Sequence, residues 1–194
     1  MKRLVLLATL AMAACAPLGP PPPLTVAAAS GPTNAPFYNA AAGAAEAFRD
    51  PALLAGRPAD AALAVERLEF LAAQTYQSNG GPMGFTFTTQ PALQAARYEV
   101  RRAVGIATDA SPTAVVAALE AARDALTRGD ARSAEAALVP PVFTPGTLAR
   151  LSNLPRLPQA NNATLRLIRD LEFGPSEPRQ FGFGDPGRHV IGRG

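Results

Sequence analysis

The clearest folding signals of the chain lie in residues 111–139, SPTAVVAALEAARDALTRGDARSAEAALV. Ser111 is a favoured helix N-cap, and Pro112 is a favoured first helical residue. Gly129 suits the left-handed position that ends a helix, and Asp130 is a good cap for the next one. Between these signals, apolar residues recur every three or four positions, at Val115, Ala118, Leu119, Ala122 and Leu126. The stretch therefore predicts a tight pair of helices, the second ending before the prolines that follow Val139.

The same helical period occurs on both sides of this pair. It predicts further helices over 39–48, 58–76, 90–106, 147–153 and 159–171. Residues 85–88 alternate apolar and polar side chains, but one such segment cannot form a sheet alone. We therefore predict an all-α fold, a compact bundle of about five to seven helices.

One part of the pair resembles a repeat protein. Residues 125–138, ALTRGDARSAEAAL, look somewhat like the helical hairpins of tetratricopeptide-type proteins. Solenoids need several stacked repeats, and no matching copy occurs one repeat away. A single bundle remains the prediction.

The N-terminal fifteen residues have the order of an export signal. Lys2 and Arg3 precede the uncharged apolar run 4–14, which is too short to cross a bilayer. Residues 10–15, LAMAAC, end on Cys15, the single cysteine of the chain. This segment resembles the lipobox of bacterial lipoproteins, although Leu is more usual than Met12 at its position.

The resemblance implies that Cys15 carries a diacylglycerol, that the chain is cut before it, and that the new amine is acylated. A lone cysteine cannot form an internal disulfide, and acylation removes its thiol. More than one acyl chain gives stable membrane anchoring. The alternative is an ordinary secretory signal cut after Ala14 or Ala16, with Cys15 incidental. Because residue 16 is Ala rather than Asp, the resemblance implies the outer membrane rather than the inner.

These signals predict four segments. Residues 1–14 are the signal peptide and 15–36 the lipid anchor with a Pro-rich linker, which contains the run 20–23. Residues 37–173 form the helical domain. Residues 174–194, rich in Gly, Pro and Arg, form a disordered tail.

Charge gives no support for nucleic-acid binding. Cleavage removes Lys2 and Arg3, which leaves sixteen arginines against fifteen acidic residues. A nucleic-acid role would need a basic patch. We predict membrane contact through lipidated Cys15, no nucleic acid, and another envelope protein as partner.

Catalytic and metal-binding patterns are missing from the sequence. His189, the only histidine, lies in the predicted tail, and no lysine follows Lys2. There is no Cys/His cluster with zinc spacing and no Asp-rich calcium loop. We predict no cofactor, no metal and no enzymatic activity.

Two carboxylate pairs are candidates for the acid/base pair that glycoside cleavage needs. Glu66 and Glu69 lie three residues apart in the 58–76 helix, away from its apolar stripe; Asp170 and Glu172 lie near a helix end. A solvated helix face is the prediction for the first pair, and the second offers no better site.

Arg97, Arg101 and Arg102 form the densest basic group. They are the candidate patch for anionic headgroups or a carboxylated partner, because arginine binds such groups with two parallel hydrogen bonds. The sequence favours, over this patch, a solvated helix face with an ion pair from Glu99 or from another helix.

The sequence thus favours a lipid-anchored cell-envelope protein that faces the periplasm, a non-enzymatic helical scaffold or partner-binding module. The alternative is a carrier of a small apolar or lipid ligand, held in a cleft near Phe70, Phe85 and Phe87.

Overall fold

The structure, a computed structural model, describes residues 35–77 and 88–174. These ranges contain seven α-helices and one 3₁₀ turn: α1 Ala35–Arg49, the turn Pro51–Leu53, α2 Pro58–Gln77, α3 Thr89–Val104, α4 Pro112–Thr127, α5 Ala131–Ala137, α6 Thr147–Ser152 and α7 Pro158–Phe173. They hold no strand beyond an isolated bridge between Ile106 and Phe143. The predicted all-α class and helix number are therefore confirmed.

Several predicted segments lie outside the described residues: Cys15 with its signal and most of the linker, the segment 85–87, and the tail from residue 175 with His189. α1 begins at Ala35, two residues before the predicted start of the domain.

Four helices form a closed antiparallel ring, in which α1 contacts α2, α2 contacts α3, α3 contacts α7 and α7 contacts α1. Contacts at both ends of α7 fix its direction. Tyr38 near the start of α1 donates to the carboxylate of Glu172 at 3.1 Å, and Asn161 donates to the carbonyl of Phe48 at 3.0 Å. The end of α7 therefore meets the start of α1, and α7 closes the bundle.

The remaining helices cover α2. α4 packs along α2, α5 folds back on α4, and α6 contacts α2 and α3. As a result α2 has neighbours on several sides, and it is buried around most of its circumference. Many of the buried side chains are alanines, such as Ala40, Ala41 and Ala44 of α1, which let helices approach closely.

The local signals predicted for the 111–139 pair are confirmed. The hydroxyl of Ser111 accepts a hydrogen bond from the backbone N–H of Ala114 at 3.2 Å, and the carboxylate of Asp130 accepts one from Ser133 at 3.0 Å. Gly129 has φ +78°, a left-handed conformation that glycine adopts without strain.

Replacing Ser111 by Ala is expected to lower the free energy of unfolding by about 1 kcal/mol, because the first turn of α4 loses its capping oxygen. Urea denaturation measures the change. Ser111→Asp restores a capping oxygen, and its stability should match the wild type; equal losses in both variants would contradict a capping role.

Within the described ranges, no helix combines the length and the apolar character needed to cross a bilayer.

Candidate functional site

The structure separates the three arginines of the predicted patch. Arg102 is exposed, Arg97 is half-buried, and Arg101 is 2% exposed. The prediction of one surface patch is therefore wrong for Arg101. The favoured prediction of an ion pair from another helix is correct for Arg97 and Arg101, with Glu69 as the partner, but its solvated face is wrong for Arg101.

Glu69 of α2 holds both arginines by charge-assisted hydrogen bonds. Its Oε1 lies 2.6 Å from Nε of Arg101, and its Oε2 lies 2.8 Å from Nη2 of Arg101 and 2.9 Å from Nε of Arg97. Its carboxylate is 1% exposed, so the prediction of a solvated face for Glu69 is wrong. Such fork-shaped pairs are short, directional and strong.

Arg101 also organises the turn after α3. Its Nη1 donates to three backbone carbonyls, those of Ala107, Thr108 and Ala110, at 2.9–3.0 Å. The same guanidinium therefore joins α2, α3 and the segment that leads into α4. This role is structural, and it means that the guanidinium of Arg101 is not freely accessible to a ligand.

The Glu69 cluster carries an excess of positive charge, because two guanidinium groups share one carboxylate. Burial lowers the pKa of Arg97, with Glu69 opposing that shift. Beside this cluster opens a cleft of about 190 Å³, lined by Gln94, Arg97, Tyr98, Arg101 and Thr108. A single anion in the cleft would balance the excess charge.

Two larger clefts continue from this one along α3 and α7. The middle cleft, about 570 Å³, shares Tyr98 with the first and adds Glu99, Arg102 and Arg156. The last, about 420 Å³, shares Gln159 with the middle cleft and adds Arg166 and Arg169. We call these three neighbouring clefts, each of which shares a lining residue with the next, the arginine groove; its arginines are Arg97, Arg101, Arg102, Arg156, Arg166 and Arg169.

Charge is distributed unevenly over the domain. Residues 35–174 contain thirteen arginines and thirteen acidic residues, so they carry no formal net charge. Six of the arginines line the arginine groove, whereas Glu99 is its only acidic lining residue among those that the structure describes. Glu99 is itself engaged, since its carboxylate accepts the backbone N–H of Ala160 at 3.0 Å, at the start of α7.

The exposed arginines of the groove have no carboxylate partner in the part of the chain that the structure describes. Arg102 lies over the ring of Tyr98, with 5.8 Å from its guanidinium carbon to the ring centroid, a cation–π arrangement. Arg166 donates to the hydroxyl of Thr88 at 3.0 Å. Neither Arg156 nor Arg169 forms an ion pair within those ranges.

Glu66, one turn before Glu69, is also buried, so the prediction of a solvated face is wrong for it as well. It faces α4, where Nε of Arg123 lies 3.3 Å from its Oε1, but these two atoms make no hydrogen bond within the described part of the chain. Burial raises the pKa of Glu66 to about 7, and Arg123 offsets this only partly.

The other predicted candidates do not form a second site. Asp170 is buried and accepts the hydroxyl of Thr89 at 2.5 Å, whereas Glu172 pairs with Tyr38 on α1, so the two carboxylates do not face each other. Phe70 is buried with its ring centroid 6.1 Å from that of Phe37. Among the described residues, no group of three His, Cys, Asp or Glu is placed to hold a metal ion.

Sequence reasoning missed the half of the arginine groove that α7 supplies. Arg166 and Arg169 are three residues apart and therefore share a helix face, which was a readable signal. Their position beside α3 depends on the packing of α7 against α3, across more than fifty residues of intervening chain.

Comparison of the chain with protein-family models, with curated proteins and with solved structures finds no match.

Proposed function

We propose that this chain is a lipid-anchored protein of the bacterial cell envelope, whose non-enzymatic helical domain binds a partner through the arginine groove. The observation that carries the proposal is the concentration of five arginines besides the buried Arg101 in the arginine groove of a domain with no formal net charge. Charge gathered on one face attracts and orients an oppositely charged partner.

The anchor supports the same function. Cys15 ends the lipobox-like segment LAMAAC, and acylation there would hold the domain at a membrane without using its surface. The groove would then remain available to a partner in the periplasm. Ala16 favours the outer membrane by the same resemblance.

No observation favours the alternative of an apolar ligand carrier. Phe70 packs on Phe37 within the core, Phe85 and Phe87 lie outside the described residues, and the two outer clefts of the groove contain Arg97, Arg166 and Arg169. Mass spectrometry of gently purified protein tests the carrier directly, because a stoichiometric co-purifying lipid would support it.

Replacing Cys15 by Ala is expected to move the protein from the membrane fraction to the soluble periplasmic fraction and to abolish its labelling by radioactive palmitate. The physical reason is the loss of the only residue that can take an acyl anchor of this type. Cell fractionation and palmitate labelling measure the two effects. Arg132→Gln, an exposed change away from the groove, serves as the control and should remain membrane-bound.

A photo-cross-linking residue at position 159 in the groove tests the partner half of the proposal. We expect position 159 to capture one envelope protein in living cells, and position 132 to capture none. Retention of the Cys15→Ala protein in the membrane fraction would contradict the anchor, and identical cross-linking patterns at 159 and 132 would contradict the groove.

A further inference from the structure

The geometry points to an extended acidic polypeptide segment as the occupant of the arginine groove, with one of its carboxylates in the cleft beside Arg97. This inference rests on the proposed function, because it names the chemistry of the partner at the same site.

Charge complementarity is the first argument. Arg102, Arg156 and Arg169 have no carboxylate partner within the described ranges, and Glu99 is occupied by the start of α7. Unpaired guanidinium groups in a concave surface are recognition elements for acidic motifs. A segment with several carboxylates would give each of these three arginines a partner.

The cleft beside Arg97 selects a single carboxylate on a narrow stem. The side chain of Arg97 is 16% exposed, and its Nε is already held by Glu69 at 2.9 Å, so its remaining N–H groups keep a fixed direction. The cleft volume of about 190 Å³ suits one Asp or Glu side chain. The excess charge of the Glu69 cluster makes an anion favourable at this point.

The length of the groove suits an extended chain. Its α3 lining runs from Ala92 to Ala103, which corresponds to roughly 16 Å at 1.5 Å per helical residue. An extended polypeptide covers that distance in about five residues. Tyr98 lies between the first two clefts under Arg102, where it offers an aromatic face to the backbone or side chains of the segment.

The recess of Arg97 favours a protein partner over the membrane that holds the anchor. The chain enters the domain at α1, whose start lies beside the end of α7 through the contact of Tyr38 with Glu172. Because α7 is antiparallel to α3, Arg102 and Arg156 lie toward the opposite end of the bundle, whereas Arg166, which donates to Thr88 at the start of α3, lies toward the end where the chain enters. The recessed guanidinium of Arg97 is also out of reach of a flat layer of headgroups.

The test uses the full mature chain with Cys15→Ala, so that binding is measured without the lipid. The probes are a fluorescent hexaglutamate peptide, its hexaglutamine counterpart, inorganic phosphate as competitor, and phosphatidylglycerol vesicles. We expect hexaglutamate to bind at low salt, hexaglutamine not to bind, and affinity to fall as salt screens the charges.

Two variants locate the binding. The double variant Arg102→Gln and Arg156→Gln is expected to weaken hexaglutamate binding by about five- to tenfold, whereas the matched double variant Arg128→Gln and Arg132→Gln, with the same charge change outside the groove, should stay within about twofold. Arg97→Lys keeps the charge but loses the planar fork, and we expect a severalfold loss. Circular dichroism confirms that each variant is folded.

The outcomes are distinct. Equal losses in both double variants would reduce the binding to general charge attraction and overturn the inference. Vesicle binding that depends on Arg102 and Arg156, without peptide binding, would assign the groove to headgroups and also overturn it. Displacement of the peptide by millimolar phosphate would point to a simple anion site instead. If hexaglutamate binds as expected while the Cys15→Ala protein stays at the membrane in cells, the proposed anchor is wrong and this inference stands.

Discussion

Replacing Glu69 by Gln is expected to lower the free energy of unfolding by about 3–5 kcal/mol, since removing one partner of a buried ion pair strands the other charges. Glu69 is 1% exposed and accepts three hydrogen bonds from Arg97 and Arg101. The substitution nearly conserves volume, so the loss reports charge and hydrogen bonding rather than a cavity. One carboxylate oxygen becomes an NH₂ donor that faces a guanidinium donor.

Thermal and urea denaturation measure this effect, and the midpoint of thermal unfolding should fall by about 10 °C. Glu46→Gln is the matched control, because Glu46 pairs with Arg49 at 2.8 Å on an exposed helix surface. Surface pairs contribute little, so this variant should lose less than about 0.5 kcal/mol. Similar losses in the two variants would contradict the buried network.

A second substitution tests whether the loss of stability arises from the Glu69 cluster or from mutation in general. Arg97→Gln in the Glu69→Gln background removes one of the two stranded cations, so part of the lost stability should return. In the wild-type background, Arg97→Gln removes the excess charge but leaves Glu69 paired with Arg101. We therefore expect the loss of unfolding free energy in the double variant to differ strongly from the sum of the losses in the two single variants. A simple sum would show that Glu69 and Arg97 act independently.

The helices themselves were predictable, because their signals are local. Ser111, Pro112, Gly129 and Asp130 act within a few residues of their own positions, and each has the role that its chemistry predicts. The apolar stripe of α3 is likewise confirmed, with Leu93, Ala96, Val100 and Val104 buried.

The charged interior was not predictable, for a reason visible in α2. An apolar stripe predicts one buried face, but α2 contacts α1, α3, α4 and α6 and is buried on several faces. Glu66 and Glu69 lie outside the predicted stripe, and yet each meets a neighbouring helix. Whether a helix has one neighbour or four depends on the tertiary arrangement, which hydrophobic periodicity does not contain.

The arginine groove was likewise predictable only in part, because its local sequence is visible and its tertiary arrangement is not. Arg97, Arg101 and Arg102 stand close together in the sequence, so their grouping is visible there. Their separation into buried and exposed roles depends on Glu69, and the extension of the groove depends on α7. Of the three, Arg97 and Arg102 remain in the proposed binding surface.

Glu66 and Glu69 also show how strongly hydrogen-bond geometry affects the charge state of a buried carboxyl group. They are one turn apart on α2, both nearly fully buried, and each lies within 3.3 Å of an arginine nitrogen. Glu69 is held by hydrogen bonds from two arginines, whereas the close contact of Glu66 with Arg123 has no hydrogen bond between Oε1 and Nε. Desolvation without that compensation disfavours the charged form of Glu66.

The stability of the domain should therefore fall as the pH rises from 5 to 8. Burial raises the pKa of Glu66 from 4.5 to about 7 in the folded state. Between these values the folded chain retains a proton that the unfolded chain has released, so each rise in pH favours unfolding. The contribution of Glu66 is a loss of about 2 kcal/mol over this interval, nearly complete above pH 8.

Glu66→Gln isolates this contribution, because the amide resembles the protonated carboxyl and does not titrate. Urea denaturation at pH 5 and pH 8 should show the wild type losing about 2 kcal/mol more than Glu66→Gln between the two conditions. Glu46→Gln, which also removes one carboxyl, should follow the wild-type slope. Parallel pH dependence in the wild type and Glu66→Gln would mean that Glu66 is ionised in the folded domain already at pH 5, and that Arg123 compensates its burial after all.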